Sequence, residues 1–512
     1  MPITHRQLFC LLLPLACHAV RADWLSDIGH TKLAVELGPA MPTGAGIVLV
    51  QSEANNIDSP PNYLPQAGGP DPFAGVGTFA GKTFHPESGA GTDLGHAVAV
   101  ATFFYGSGIG VARGATEIHN YTAIDFITRL TDGIAPEVFP GRVQNHSWAG
   151  SLGDADEDLK AIRAFDFMLD RDQRIAVTGL SGGSLAPLLG STYHAIAAGT
   201  RSAAHSQTGT TTDGIGRMKP DLVVDVQYTS YASAIVAGSA AALLQEAIAS
   251  GNAAAERPQL IKAVLIAAAS KQNLPQWQRD AAAEPYDDAF GAGELDLYHA
   301  WHLLKGGQQP HSTSVERSMQ GWDFATSTTG TNGRRYFFTV PEGSIAETFS
   351  AALVWHRDIT NLLGVYSSSL PDLNLKLYAA SGFTTGALIS SSTSGVDNVE
   401  HLFLRHLPAG QYCLEVTAVA DGYDFALAWQ AVPGIGPRVT SRISGGQLFI
   451  DAASLDPLTT YTLETAPDLS SAWTTVETFR TADGTASFTH TWTSPTAPAT
   501  KQFFRLRWMP VR

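Results

Sequence analysis

The sequence predicts an α/β domain with helices on both faces of a parallel sheet, followed by two C-terminal all-β domains. In residues 44–305, short apolar runs such as "GIVLVQ" (46–51) alternate with helical patterns such as "DEDLKAIRAFDFMLD" (156–170). Strands that are apolar throughout are typical of a parallel sheet covered by helices on both sides. From about residue 310, apolar residues recur at every second position, as in "DLNLKLY" (372–378). This alternation is typical of strands with one buried face.

These patterns predict the domain boundaries. The α/β domain covers residues 23–305, and a jelly-roll-like β-sandwich covers residues 310–432, where short strand patterns follow one another closely. A small β domain over residues 433–512 begins at a Pro-Gly pair. Its strand-like runs include "GQLFIDA" (446–452), "TYTLET" (460–465) and "QFFRLRW" (502–508).

The composition argues against a nucleic-acid partner. With 512 residues and 44% hydrophobic side chains, the chain can bury more than one large core. Its formal net charge is -15, and its 32 lysines and arginines form no basic block. Neutralising phosphates requires clustered cations, so we expect no nucleic acid among the partners.

The N-terminus is typical of a signal peptide. A basic segment precedes the apolar run Leu8–Ala16, and small side chains precede a cleavage site after Ala22. We therefore expect removal of residues 1–22 and a secreted or periplasmic protein. The apolar run is too short to span a bilayer, and no later segment approaches the length of a transmembrane helix, so we expect no membrane span. Cleavage would leave Cys413 as the last cysteine, without a partner for an intramolecular disulfide.

Two serines are candidate nucleophiles. Ser181 lies in "GLSGG" (179–183) after an apolar run, which is the G-x-S-x-G pattern of an α/β-hydrolase nucleophile elbow. Ser230 directly precedes a helical pattern rich in alanine, glycine and serine. The N-terminus of such a helix stabilises developing negative charge, and its small side chains permit close packing against the sheet. The elbow would also need a later acid and histidine, for which the candidates are Asp221 or Asp225 and His299 or His302.

The segment around Ser230, "TSYASAIVAG" (229–238), resembles the serine signature of the subtilases, the subtilisin-like serine peptidases. Other segments are similar to motifs of this family, in its order of acid, histidine and serine. They are "GAGIVLVQSEA" (44–54) for the acid, "GHAVAVATFFYG" (95–106) for the histidine, "VQNHSWAG" (143–150) for the substrate-binding strand, "KPDLVV" (219–224) before the serine loop and "FGAGELD" (290–296) at the end of the domain. The match covers roughly residues 40–305 and favours a subtilisin-like fold over an α/β-hydrolase.

The resemblance implies an activity and a set of site residues. His96 would take the proton from Ser230 as that oxygen attacks a peptide carbonyl, while Glu53 orients the imidazole. Ser181 falls where the family has the asparagine of its oxyanion hole. We therefore expect an exported serine endopeptidase that forms an acyl-enzyme with a protein or peptide substrate and requires no cofactor for its chemistry. The implied substrate-binding residues are Ser147, Trp148, Ala149 and Gly150.

The chain also departs from the usual subtilase pattern. Glu53 replaces an aspartate, with Asp93 as the neighbouring alternative acid, and Ser181 replaces a longer amide side chain. Removing the corresponding oxyanion donor from subtilisin costs about 100- to 1,000-fold in rate. Further departures are Tyr228 for glycine, Ala234 for proline, and the alanines Ala97 and Ala99. The alternative is therefore a catalytically weak or inactive subtilase-like protein that acts as a surface-binding or adhesion module.

The remaining polar residues give weaker indications. Four scattered histidines lack metal-ligand spacing: His85, His119, His146 and His205. Three acidic residues in predicted loops of the sandwich could hold a structural calcium ion, although isolated loop acids usually face water: Asp372, Asp397 and Glu400. Trp148 would either line a substrate subsite or pack in the core. By analogy, the C-terminal β domains would attach the enzyme to surfaces or polymers.

Overall fold

The computed structural model describes most of the chain. The described residues are 24–54, 60–65, 79–182, 186–206, 213–214, 217–329, 333–434, 437–445, 447–453, 455, 460–480, 487–492 and 502–508. The predicted signal peptide, residues 1–22, and its cleavage site lie outside the described residues.

A parallel sheet forms the centre of the N-terminal domain, as the sequence predicts. The strands of this domain are β1 Leu49–Glu53, β2 Asn62–Leu64, β3 Thr83–Pro86, β4 Thr92–Asp93, β5 Glu117–Thr122, β6 Val143–His146, β7 Ile175–Gly179, β8 Ile196–Thr200 and β9 Leu222–Val224. Seven of them form one sheet in the order β3-β5-β1-β6-β7-β8-β9, and β2 pairs with β4. Because the strands are parallel, the carboxyl ends of β1, β6 and β7 meet at one edge of this sheet.

Helices cover both faces of the seven-stranded sheet. They are α1 Trp24–Asp27, α2 His30–Leu37, α3 Gly95–Phe104, α4 Ala123–Thr131, α5 Ala155–Arg171, α6 Thr229–Ala249, α7 Pro258–Ala268 and α8 Leu297–Lys305. Neighbouring residues of β1 point to opposite layers, as expected for a strand covered on both sides. Leu49 packs in the core beneath α3, α6 and α7, whereas Val50 packs in the core beneath α4 and α5.

Helix α6 corrects one expectation from the sequence. Its 21 residues have the length and apolar composition of a membrane span, whereas we expected no later segment of that kind. In the structure 78% of its most apolar stretch is buried within the protein, which is typical of a core helix. Its small residues permit this burial, since a Cβ on Gly238 would lie 2.7 Å from the Cβ of Val111.

A β-sandwich follows, as predicted. Its strands are β10 Glu316–Arg317, β11 Gln320–Thr326, β12 Arg334–Val340, β13 Ile345–Trp355, β14 Asp358–Leu362, β15 Val365–Ser369, β16 Leu373–Ser381, β17 Thr384–Ser392, β18 Val399–Leu407, β19 Gly410–Ala418 and β20 Asp424–Gly434. The two sheets have the orders β10-β12-β19-β16-β17 and β11-β20-β13-β18, and β14 and β15 form a hairpin. Leu373, Leu375 and Leu377 enter the core between the sheets, as their alternation predicts. Cys413 is buried and free.

Two small sheets form the C-terminal region. Their strands are β21 Arg438–Ser444, β22 Gln447–Ala453, β23 Tyr461–Ala466, β24 Thr474–Phe479, β25 Ser487–Trp492 and β26 Phe503–Trp508. The sheets have the orders β21-β22-β25 and β24-β23-β26 and share a core that includes Ile450 and Leu463. Trp508 Nε1 donates to His406 O at 2.9 Å, which joins this region to the sandwich.

The α/β domain and the sandwich share one hydrophobic core through α7. Every residue of α7 is buried. The helix packs on β13 and β20, whose residues Ala352 and Ala428 belong to the same core as the central sheet. Gln430 Nε2 also donates to Ala267 O at 3.1 Å. The sandwich therefore covers an apolar helix face that the α/β domain alone would expose to water.

Candidate active site

The predicted acid and histidine are hydrogen-bonded to each other. Glu53 is the last residue of β1 and is fully buried, while His96 is the second residue of α3 and its side chain is 27% exposed. His96 Nδ1 lies 2.6 Å from Glu53 Oε2. When Nδ1 donates its proton to this carboxylate, Nε2 is the ring nitrogen that can accept another proton. The alternative acid, Asp93, lies exposed on β4.

The pairing with Glu53 makes His96 more basic. Burial lowers the pKa of His96, but the charge of Glu53 and the hydrogen bond to it outweigh burial, so the pKa is raised above its ordinary value. In the described part of the chain, His96 is the ion-pair partner of Glu53, and no lysine or arginine pairs with this carboxylate. The charge of Glu53 is therefore directed at the imidazole.

Two residues that we did not single out from the sequence form hydrogen bonds on the side of Glu53 away from His96. Gln51 Nε2 donates to Glu53 Oε1 at 2.7 Å, and the Tyr105 hydroxyl donates to Gln51 Oε1. One sequence signal could have found Gln51, because it lies two residues before Glu53 in the same strand and therefore faces the same side of the sheet. Nothing in the sequence connects Tyr105 to it.

Ser230 lies at the start of α6, beside the end of β6. Ser147, the residue that follows β6, donates through Oγ to Ser230 O at 3.1 Å, and Ser230 Oγ donates to Ser147 O at 3.4 Å. The N-cap residue Tyr228 has extended backbone and provides no side-chain cap. Ser230 is thus placed at the positive end of the dipole of a 21-residue helix.

His96 and Ser230 lie on packed helices but are not hydrogen-bonded to each other in the described structure. Helices α3 and α6 are in contact, and the rings of Phe103 and Tyr231 lie 4.7 Å apart. The hydroxyl of Ser230 donates to the backbone of Ser147 instead. The bond between a nucleophile and its base is often absent or long before substrate binds. To donate to His96, the Ser230 hydroxyl would therefore have to give up its hydrogen bond to Ser147 O.

Ser181, the predicted oxyanion residue, lies close to the start of α6. It is the second residue after β7 and is 3% exposed. The preceding residue, Leu180, accepts a hydrogen bond through its backbone oxygen from Thr229 Oγ1 at 2.6 Å. This bond ties the end of β7 to the residue before Ser230.

The four predicted substrate-binding residues follow β6 and differ in their exposure. Ser147, Trp148 and Gly150 are buried, and Ala149 is partly exposed. Trp148 is 5% exposed, donates through Nε1 to Ser52 Oγ at 3.1 Å and packs in the core beneath α4 and α5. Of the two interpretations of Trp148, the structure favours the core.

The residues of the alternative nucleophile elbow are engaged elsewhere. The first described element after β7 is a 3₁₀ turn at Leu188–Ser191, whereas an elbow leads into an α-helix. The two acids and two histidines proposed for the elbow pair with other groups: Asp221 with Lys219 and Lys262, Asp225 with Arg201, His299 with Asp296 and His302 with Glu36. In the described chain, none of these four pairs with another of the four.

The structure revises the expectation for the acidic residues of the sandwich. Asp397 and Glu400 are buried rather than facing water, and their carboxylates accept hydrogen bonds from Met218 N at 2.8 Å and Ser394 N at 2.5 Å. Burial raises the pKa of Glu400 well above its ordinary value. Asp372 is partly exposed. Across the described ranges, no group of three or more metal-ligating side chains could hold an ion.

The histidines without metal-ligand spacing have ordinary partners. His85 and His119 stack on each other, with ring centroids 4.4 Å apart, and each pairs with a glutamate. His146 and His205 are buried. Burial lowers the pKa of His146 to about 3, so this imidazole is neutral at ordinary pH.

Comparison with known proteins gives distant similarities to proteases. No family model and no curated protein matches the chain. Among solved structures, it is similar to a protease of Pseudoalteromonas arctica, with 17% identity over 55% of this chain and 97% of that chain and a TM-score of 0.31. The epidermin leader peptide processing serine protease of Staphylococcus aureus matches with 13% identity over 54% of this chain and 80% of that chain, at a TM-score of 0.33. A cold-adapted subtilisin-like serine proteinase matches with 16% identity over 46% and 85%, at a TM-score of 0.29. At these identities and TM-scores we infer no activity from the neighbours.

Proposed function

We propose that this chain is a serine endopeptidase whose catalytic residues are Glu53, His96 and Ser230. The observation that carries the proposal is the 2.6 Å hydrogen bond between the fully buried Glu53 and the partly exposed His96. A buried carboxylate that bonds one ring nitrogen of a histidine makes the other nitrogen a general base. Ser230, at the N-terminus of α6, is the hydroxyl that this base would activate.

In the proposed reaction, His96 Nε2 accepts the proton of Ser230 as Oγ attacks the carbonyl carbon of a peptide bond. The tetrahedral intermediate breaks down when His96 returns this proton to the leaving amine, which leaves an acyl-enzyme on Ser230. Water, deprotonated by the same histidine, then hydrolyses the ester. Glu53 stabilises the imidazolium that forms in each half of the reaction, in agreement with the raised pKa of His96.

The oxyanion of each intermediate would be stabilised by the backbone N–H groups at the start of α6 and by Ser181. The hydrogen bond from Thr229 to Leu180 supports this role, since it holds the residue next to Ser181 against the helix start. A serine hydroxyl reaches less far than an asparagine amide. The proposed enzyme is therefore slower than one that carries the longer side chain.

Labelling by a fluorophosphonate probe tests the nucleophile. The wild-type protein and Ser181→Ala should be labelled, whereas Ser230→Ala should not be labelled. Loss of the label in Ser181→Ala, with labelling retained in Ser230→Ala, would instead favour the α/β-hydrolase elbow. Absence of labelling in all three proteins would reject a serine nucleophile.

A second candidate function is binding or adhesion by a catalytically weak or inactive protein of this fold. One observation favours it, namely that the Ser230 hydroxyl donates to Ser147 O and not to His96. Turnover of casein by the pure protein separates the two candidates. Cleavage that disappears in Ser230→Ala would exclude an inactive protein.

The proposal also covers location and partners. Residues 1–22 would direct export to the periplasm or the medium, and the substrate would be a protein or peptide. The C-terminal β domains would attach the enzyme to a surface or polymer, and a structural calcium ion is compatible with the proposed chemistry. N-terminal sequencing of the protein recovered from the producing cells tests the export proposal, because a mature chain should begin at Asp23.

A further inference from the structure

A chain of hydrogen bonds leads from Tyr105 through Gln51 to Glu53. The Tyr105 hydroxyl donates to Gln51 Oε1, and Gln51 Nε2 donates to Glu53 Oε1 at 2.7 Å. The other carboxylate oxygen, Oε2, is bonded to His96 Nδ1. Tyr105, Gln51 and Glu53 are all fully buried. Each oxygen of the candidate catalytic carboxylate therefore has its own donor.

This chain attaches Glu53 to both ends of the helix that carries His96. Gln51 Nε2 also donates to Ala97 O at 3.0 Å, and Ala97 is the residue after His96 at the start of α3. Tyr105 is the C-cap residue of the same helix. Through Gln51, the end of β1 is therefore fixed to the first turn and to the C-cap residue of α3.

Only one orientation of the Gln51 amide satisfies all of these partners. Its nitrogen faces two acceptors, Glu53 Oε1 and Ala97 O, and its oxygen faces the Tyr105 hydroxyl. Exchanging the nitrogen and oxygen would place the amide oxygen against a carboxylate and a carbonyl. Burial raises the pKa of Tyr105, and the charge of Glu53 raises it further, so this phenol remains a hydrogen-bond donor.

A glutamate carboxylate needs such positioning hydrogen bonds more than an aspartate carboxylate does. It has one additional rotatable bond, so fixing its carboxylate costs more side-chain entropy. A fully buried carboxylate oxygen that lacks a hydrogen-bond donor also costs free energy. Gln51 meets both needs, since it restrains the first oxygen and leaves the second aligned with His96.

We propose that Gln51 is a positioning residue of this active site, and that Tyr105 orients it. Together they hold the Glu53 carboxylate where it can bond His96, and neither of them touches the substrate. This inference rests on the proposed peptidase function. It predicts that loss of either side chain slows the chemical step without weakening substrate binding.

Kinetics of Gln51→Leu and Tyr105→Phe, with Thr102→Val as a matched control, test the proposal. Thr102 is also buried on α3, but its Oγ1 donates to Val98 O at 2.8 Å. We expect Gln51→Leu to lower kcat about 10- to 100-fold with KM unchanged, as for the loss of a hydrogen bond to a charged group. Tyr105→Phe should cause a smaller loss, and Thr102→Val should leave kcat unchanged.

A second comparison separates positioning from general damage to the fold. In a Glu53→Ala background, Gln51 has no carboxylate to hold, so Gln51→Leu should cause no further loss of kcat. A full additional loss in that background would overturn the proposal, as would a wild-type kcat for Gln51→Leu in the native background.

Proton NMR of the His96 Nδ1–H group tests the same inference without activity. In Ser230→Ala protein, this downfield resonance should shift or disappear on Gln51→Leu and stay in place on Thr102→Val. A resonance that Gln51→Leu leaves unchanged would overturn the positioning role. The native protein could also hydrolyse no peptide while Gln51→Leu still shifts the resonance. That result would reject the peptidase function and retain the role of Gln51 towards Glu53.

Discussion

The proposed peptidase activity should depend on pH through a single residue, His96. Burial lowers its pKa, but Glu53 outweighs burial and raises the pKa above the ordinary value of 6.5. A general base must be unprotonated, so peptidase activity should rise with pH through a midpoint above this value. Glu53→Gln removes the charge and should move the midpoint to lower pH, while kcat falls by about 10,000-fold, as for the matching change in a serine protease triad.

The exposed acid beside His96 provides the control for this experiment. Asp93→Asn removes a charge three residues away in sequence and should leave both the midpoint and kcat unchanged, because Asp93 is exposed on β4. The measurement is the pH–rate profile of kcat/KM for the native protein, Glu53→Gln and Asp93→Asn. If the midpoint does not move in Glu53→Gln, the carboxylate does not set the basicity of His96.

Ser181 gives a prediction in the opposite direction, a gain of activity. If its hydroxyl stands in for an asparagine amide, Ser181→Asn should place a longer donor beside the oxyanion and raise kcat, by up to about 100-fold. Ser181→Ala should lower kcat below that of the native protein, with little change in KM. Steady-state kinetics on a peptide substrate would measure both. An unchanged kcat in Ser181→Ala, without a gain in Ser181→Asn, would show that Ser181 is not in the position of an oxyanion donor.

At the residue scale, the sequence predicted individual side chains better than their contacts. Glu53, His96 and Ser230 each lie in a local pattern, so each could be named as a candidate without a structure. Gln51 lies within the same strand as Glu53, but its bond to Tyr105 depends on how α3 packs against β1. Trp148 was open to two interpretations because its burial depends on how α4 and α5 pack against the sheet, which the local pattern does not show.

The packing of α6 against its neighbours predicts a stability effect at the element scale. A Cβ on Gly238 would lie 2.7 Å from Val111 Cβ and 3.1 Å from Phe104 O, and one of these contacts is to backbone. Gly238→Ala should therefore destabilise the protein by about 1–3 kcal/mol through overpacking, even though alanine is the better helix former. Thermal unfolding would measure this loss.

A glycine in open surroundings provides the matched control. Apart from its two chain neighbours, no described residue has an atom within 4 Å of a Cβ on Gly395, so Gly395→Ala should leave the unfolding temperature nearly unchanged. Equal unfolding temperatures for Gly238→Ala and the native protein would mean that α6 can move away from α3 at little cost. That result would also weaken the interpretation that the small residues of α6 are needed for its close packing.

Secondary structure could be predicted where the apolar residues of a segment follow a single helical or strand periodicity. Alternating leucines identified β16, and helical spacing identified α5, because each element buries one continuous face. Helix α6 has no polar face, so its sequence pattern does not separate a core helix from a membrane span. Glu400 was assigned to a loop facing water, yet it lies buried on β18, since the neighbouring Ser392 and Ser394 satisfy its carboxylate.

At the scale of the whole molecule, buried ion pairs join the sandwich to the α/β domain. Arg357, between β13 and β14, donates through Nε to Asp166 Oδ2 at 3.0 Å and through Nη1 to Asp213 Oδ2 at 2.6 Å. Arg357→Leu would remove the arginine that pairs with the fully buried Asp166. We expect a loss of about 3–5 kcal/mol in the free energy of unfolding by urea. Arg442→Leu breaks an exposed pair and should leave the urea midpoint unchanged.

The same ion pairs predict how stability changes in acid. Burial raises the pKa of Asp166, but His194, Arg357 and two backbone N–H donors outweigh burial and lower the pKa from 3.8 to about 2. A carboxyl with a lowered folded-state pKa stabilises the fold above its unfolded pKa, and this stabilisation is lost as pH falls from about 4 to about 2.

Without Arg357, the folded-state pKa of Asp166 rises and the loss begins at higher pH. The difference in unfolding free energy between native protein and Arg357→Leu should therefore be smaller at about pH 3 than at about pH 6. Acids that do not contact Arg357 titrate in both proteins and cancel in this difference. A difference that is constant with pH would therefore mean that Arg357 stabilises the interface by packing and not through the charges of Asp166 and Asp213.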